Sequence, residues 1–366
     1  MVKKQHADRM IREYISELIR TNNLMVKDGV VTKNGNNIVI EKGIIMAANT
    51  PKDTLRFSTV DIFDTPTDDT IIWRYMDWSK FEYLITKQKL YMPNPTKFIQ
   101  DKKEGYPTKD IEKFIKSTVE DTYYKFLLPH YKEITVNGIK LSGKPYRDLQ
   151  PLVNMWKKVY SYCLPRFYIS CWTERNYESE QMWKSYIEDE ELRKSAVAIK
   201  TTVGDLKKSL KTTGLFDLAR VQYFDITNPK QRTKEEFFRI MPGIQPLVRY
   251  MLLNKRDCYK DDKEIRLMTD NLMQNRTQWE MNSVMTICGD SDFDYDQPVD
   301  IEAKQIPINL ETLLKEIRLS PFANINLYSD VKKLLTANNL QNIPIKNSFL
   351  NTDEGFVDLD CRNIYL

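Results

Sequence analysis

The run FYISCW, Phe167 to Trp172, decides how the rest of the chain is read. Its aromatic and β-branched content predicts a strand. After Thr173 to Ser179 come Met182, Trp183 and Tyr186, whose i, i+1 and i+4 spacing predicts a helix with one buried side. SAVAIK, Ser195 to Lys200, predicts the next strand.

Working outward, Ile71 to Tyr75 is a β-type run, followed by Ser79 as the expected helix cap and by Phe81, Leu84 and Ile85 at helical spacing. Leu90 to Met92 predicts a short strand stopped by Pro93 and Pro95. Residues 108–131 and 148–164 read as helices, separated by an ITVNGIKL hairpin that turns at Asn137-Gly138. Downstream, strands are predicted at 220–225, 264–268, 283–288 and 304–308, and helices at 247–255, 310–317 and 331–338. Strands broken by helices and a hairpin, without a regular βαβ alternation, predict an α+β fold with a mixed, interrupted sheet. Residues 69–366 form the expected main domain, with a helical insertion at about 105–165. Residues 1–68 read as an N-terminal extension: an amphipathic helix at 8–22 suited to docking a partner, a strand-rich stretch, and a linker over 50–70. No internal repeat is evident at this level.

Composition narrows the function. The 366 residues carry 55 basic and 51 acidic side chains, a formal +4, too even to imply a nucleic-acid partner. With only 11 glycines, and neither GxGxxG nor GxxxxGK[ST], a classical dinucleotide or P-loop architecture is not expected. Five cysteines without a CxxC pair and two histidines leave no ligand set for structural zinc, so no bound metal is expected. Reduced thiols, charges scattered through MVKKQHADRMIREYISELIR, and the lack of an apolar run of about 18 residues predict a soluble chain of a cytoplasmic compartment with no membrane partner.

The segments together carry a resemblance. WRYMDWSKFEYLITKQKLYMPNPTKF with Asp101 and Glu104, then ISCWTERNYESEQMWKSYI, VQYF, the Lys255 to Arg266 segment and the tail through Ser320-Pro321 to Ser348 resemble the family called domain of unknown function 2971. Roughly residues 71–350 are covered. The chain departs from that pattern at Gln100, Tyr259 and Asp262. The opening pattern is more distantly similar to ADP-ribosyltransferase-like toxin domains, which carry an Arg or His, a Ser or Tyr, and a Glu on successive strands. Arg74, Ser170 and Asp262-Lys263-Glu264 stand here in that order.

This likeness implies an NAD-dependent transferase of bacterial or phage type, a conflict or defence effector with a protein or nucleic-acid acceptor. Glu264 would stabilise the oxocarbenium-like ribose, with Asp262 beside it. Arg74 would hold ribose or phosphate by its planar fork, Ser170 would buttress both, and Tyr75 or Trp172 would stack on nicotinamide. Plain structural readings stand beside these. Arg74 can be an ion-paired strand residue and Ser170 a small core residue bonded to the backbone. Asp262 and Glu264 can belong to an ion-pair network with Lys255, Arg256 and Arg266. Two other classes compete: a metal-dependent nuclease in which Asp101, Glu104, Asp262 and Glu264 converge, and a non-catalytic structural or interaction protein with no convergent polar cleft.

Overall fold

The computed structural model describes residues 64–98, 150–225, 244–271 and 302–351 continuously, together with the strands between 25 and 57 and between 133 and 142, and short pieces at 104–109, 111–113, 116–117, 296 and 298–299. Four strands, β1 (Met25–Lys27), β2 (Val30–Lys33), β3 (Asn36–Glu41) and β4 (Ile44–Ala47), form an antiparallel meander. The chain then enters the main sheet through β5 (Leu55–Phe57), which runs parallel to β12 (Gly214–Arg220) at one edge. The linker expected over 50–70 therefore contains an edge strand.

The main sheet has eight strands in the order β18-β17-β11-β6-β10-β15-β12-β5. Its other members are β6 (Ile71–Met76), β10 (Phe167–Glu174), β11 (Val197–Thr202), β15 (Glu264–Asp270), β17 (Glu316–Leu319) and β18 (Ile345–Lys346). The six strands from β17 to β12 are antiparallel to their neighbours, whereas β18 and β5 are parallel edge strands. The sheet is thus mixed and the fold α+β, as expected. Smaller ladders pair β7 (Lys89–Pro93) with β16 (Ala303–Pro307), β13 (Gln222–Phe224) with β14 (Asn254–Arg256), and β8 (Glu133–Val136) with β9 (Ile139–Ser142). In the last, Val136 lies opposite Ile139, and the turn expected at Asn137-Gly138 lies outside the described residues.

Residues directly across a ladder share a face. Thr173 faces both Trp73 and Glu264, which fixes the two sides of the sheet. One side carries Ile72, Met76, Trp172, Ile265 and Leu267, buried under Phe81, Leu84 and Ile85 of helix Trp78–Lys87 and under Val331 and Leu335 of helix Leu327–Ala337. Each such side chain contributes about 1.5–3 kcal/mol on burial. The other side carries Trp73 and Tyr75 against Met182 and Trp183 of helix Glu180–Tyr186, with Tyr75 edge-on to Trp183 at 4.9 Å. That second side also holds most of the buried charge.

Four expectations need correction. Asp77, not Ser79, caps the first helix, its carboxylate accepting from Lys80 N at 3.0 Å while Ser79 Oγ donates to it. The helix expected over 310–317 is one turn, Leu310–Leu313, and Glu316 to Leu319 is strand because its alternate side chains pack into the sheet. The helix expected over 247–255 is Ile244–Met251, and its last residues belong to β14. The strand expected at 220–225 shortens to β13, Gln222–Phe224, and Arg220 already ends the preceding strand β12. β12 escaped the sequence reading because Asp217 interrupts its apolar run, and this carboxylate is buried against Arg249 at 2.6 Å. The N-terminal helix at 8–22 and the strand at 283–288 lie outside the described residues.

Candidate functional site

Arg74, Ser170 and Trp172 are brought together on the apolar side of the sheet. The Arg74 guanidinium lies 5.7 Å from the Trp172 ring centre and donates to Tyr91 O at 3.4 Å. Trp172 Nε1 donates to Ser170 Oγ at 3.0 Å. Ser170 is buried among apolar side chains, its hydroxyl satisfied by the indole. Arg74 has no carboxylate partner among the described residues, and burial lowers its guanidinium pKa. Tyr75 points the other way, its hydroxyl accepting from Ser179 N at 3.0 Å.

Glu264 belongs to that other side. Because it faces Thr173 in the ladder, its side chain leaves the strand on the face opposite to those of Arg74 and Ser170. Register thus starts Arg74 and Ser170 on one face and Glu264 on the other, while Cys171 and Tyr186, which lie near Glu264, also act on the buried Arg74 charge. The split follows from the period of two along a strand: Arg74 and Trp73, or Ser170 and Cys171, take opposite faces, and register alone decides which.

Glu264 sits in a dense ion network. Its carboxylate accepts from Arg266 Nε at 2.7 Å and Nη2 at 3.1 Å, and from Lys255 Nζ at 3.1 Å. Lys255 also binds Asp262 at 2.8 Å, and Arg266 also binds Glu104. Burial by itself would raise the Glu264 pKa, but Arg266 and Lys255 overcome this and bring it down to about 2. Glu104 shifts the opposite way, chiefly through burial. Glu104, Asp262 and Glu264 do converge, but on two cations; Asp101 lies outside the described residues. Among the described residues no cluster of His, Cys, Asp and Glu could hold a metal ion.

The same arrangement occurs a second time. Glu264-Ile265-Arg266-Leu267 on β15 is matched by Glu316-Ile317-Arg318-Leu319 on β17, with both arginines on the same side of the sheet. Each guanidinium binds the glutamate two residues before it. Each faces an alanine that leaves it room, Ala219 for Arg266 and Ala198 for Arg318. Arg266 sends Nη1 to Leu252 O, and Arg318 sends its own to Asn347 O at 2.8 Å. A lysine reaches each glutamate, Lys255 at 3.1 Å and Lys346 at 2.8 Å, and a second glutamate approaches each arginine, Glu104 and Glu178. Both sets clamp neighbouring segments onto the sheet. The repeat is the identical tetrapeptide EIRL, and the equivalence of its contacts shows once the strands are aligned in space.

At the Glu264 end of the sheet, the ends of β10 and β12 and the start of β15 enclose a cleft of about 480 Å³. Four basic residues line it, Arg175, Arg220, Lys260 and Lys263, against two acidic ones, Glu174 and Glu264. Arg220 is fully engaged, with a fork on Glu174 at 2.5 and 2.9 Å and a bond to Asp64 at 2.9 Å. Among the described residues Lys260 approaches only Asp257, at 3.9 Å. Arg175 donates through Nη2 to Asp261 O, while its buried Nε has no acceptor. Lys263 is exposed, with no ion pair among the described residues, and its backbone is left-handed at φ 44°. That conformation ends the turn Asp257–Asp262 and starts β15, while its carbonyl accepts from Glu174 N at 2.9 Å. Tyr223 also lines the cleft, its hydroxyl accepting from Glu264 N at 2.9 Å.

No family model, curated protein or solved structure matches this chain. Sequence reasoning missed Arg175, Arg220, Lys260 and Lys263. No local signal marked them, because they become neighbours only through long-range pairing of the strands.

Proposed function

We propose that this protein binds a phosphate-bearing ligand in the cleft between β10, β12 and β15. The observation that carries the reading is the cationic surplus of the lining, in which Lys263 and the Arg175 Nε have no anionic partner among the described residues. A volume of about 480 Å³ is in the range that encloses a small ligand such as a nucleotide. Phosphate oxygens suit both groups: guanidinium N–H donors bind them directionally, and an ammonium acts as a point charge.

A narrower form of this proposal is NAD processing, as the distant likeness to ADP-ribosyltransferase-like domains implies, with nicotinamide released and ADP-ribose passed to a protein or nucleic-acid acceptor. The phosphate role first given to Arg74 would then belong to Arg175 and Lys263. Glu264, ionised at neutral pH, is suited to stabilising developing positive charge and not to donating a proton. Its two cations already neutralise it, and the Glu316 clamp repeats its contacts. These observations favour a binding role over catalysis by Glu264.

Titration calorimetry with pyrophosphate, ADP and NAD tests the proposal. Binding that weakens with salt and falls about tenfold in Lys263→Glu, a loss of about 1.4 kcal/mol, is the expected result. No binding of any of the three at low ionic strength overturns it. Nicotinamide release that disappears in Glu264→Gln would select the transferase form.

A further inference from the structure

The loop that lines the cleft is also the loop that receives the last described segment of the chain. Glu174, Arg175 and Asn176 line the cleft, and the next residues, Tyr177 and Glu178, meet residues 345–351. Glu178 is buried, and its carboxylate accepts from Ser348 Oγ at 2.8 Å and from Phe349 N. A third donor, Trp183 Nε1, reaches it at 2.9 Å from the neighbouring helix. Tyr177 meets the Phe349 ring edge-on at 6.5 Å.

The segment is itself fastened to the sheet. β18 extends β17 in parallel, Arg318 Nη1 donates to Asn347 O at 2.8 Å, and the Arg318 guanidinium lies 3.7 Å from the Phe349 ring centre. On the sheet side the loop is held by Trp73 Nε1, which donates to Arg175 O at 2.9 Å, and by the Tyr75 hydroxyl, which accepts from Ser179 N. Two of the three donors to Glu178 thus come from the strap at 345–351. Without them a buried carboxylate keeps one indole donor and Arg318 at 4.0 Å, a costly state that is relieved when the loop moves outward.

We infer that Glu178 is a positioning residue for the cleft, and that the strap at 345–351 holds Arg175 and Asn176 in their ligand-binding arrangement. This rests on the cleft reading above. Strap docking and ligand binding share one six-residue loop, so each strengthens the other by the same factor. Exposed Phe349 and Leu350 give the strap an accessible outer side.

The test uses the full chain, pyrophosphate as probe, and the variants Glu178→Gln and Ser348→Ala. Ser348→Ala removes a single donor and keeps the inference testable where Glu178→Gln fails to fold. Affinity for pyrophosphate, measured well below the unfolding transition, is expected to fall at least fivefold in either folded variant. Hydrogen exchange at residues 174–179 is expected to quicken without ligand. A merely structural role would lower the melting temperature and leave the affinity of folded protein unchanged. Pyrophosphate bound within twofold of native by folded Ser348→Ala overturns the inference and leaves the cleft reading standing. Native protein that does not bind pyrophosphate overturns both, even where the loop exchanges faster.

Discussion

Arg266 and Arg318 occupy equivalent places on one face of the main sheet, with β10, β6 and β11 between their strands. Both are almost wholly buried, both bind a glutamate two residues upstream, and both hold a neighbouring segment through a backbone carbonyl. One clamp stands beside the cleft; the other fastens the strap. Glu264 can thus be understood as a structural anion without any appeal to catalysis.

Replacing Glu264 by Gln removes the shared partner of Arg266 and Lys255 in a buried setting. A loss of about 3–5 kcal/mol in unfolding free energy is expected, measured by urea denaturation. A loss under about 1 kcal/mol, together with abolished ligand turnover, would restore the catalytic reading.

Arg74 should behave in the opposite sense. It is half-buried, has no carboxylate partner among the described residues, and its charge is disfavoured by burial. Arg74→Met keeps the contact with Trp172 and is expected to change stability by less than about 1 kcal/mol while leaving pyrophosphate affinity intact. A large loss of affinity would place a second anion site on the apolar side of the sheet.

Acid sensitivity follows from the Glu264 network. Its carboxyl is held at about 2 in the fold against an ordinary 4.5, so its contribution is present above about 4.5 and is lost as pH falls towards about 2. Glu104, raised by burial, contributes in the opposite sense: its stabilisation is present at low pH and is lost as pH rises through its folded value. The two share Arg266 and titrate as a pair. The urea midpoint is expected to drop between about pH 4.5 and 2, with a shallower drop in Glu264→Gln. An equal slope in both proteins would remove Glu264 as the cause.

The thiols offer a check on the packing. Cys163 and Cys171 have their pKa values raised, chiefly by burial, whereas Cys258 is exposed. A maleimide reagent at pH 7 is expected to modify Cys258 fastest in the native protein, the half-buried Cys171 more slowly, and Cys163 only on unfolding. Rapid native labelling of Cys163, located by peptide mapping, would show that the core opens.

The sequence by itself determined the fold class and the main strands. FYISCW, the Ile71 run and SAVAIK declare their type locally, through side chains that suit a pleated, buried surface. The pairing of β8 with β9 is equally local, because the Asn-Gly pair between them in the sequence carries its own turn preference. Only tertiary structure decided which side of the sheet each candidate residue faces. Arg74, Ser170 and Glu264 stand in a suggestive order along the chain, yet strand registers with a period of two send Glu264 to the side opposite the other two. β12 stayed hidden because Asp217 is acceptable in a core strand only once Arg249, distant in sequence, is packed against it. The cleft was hidden for the same reason: Arg175, Arg220 and Lys263 become neighbours when three separate strand ends meet, a long-range event that no local pattern encodes.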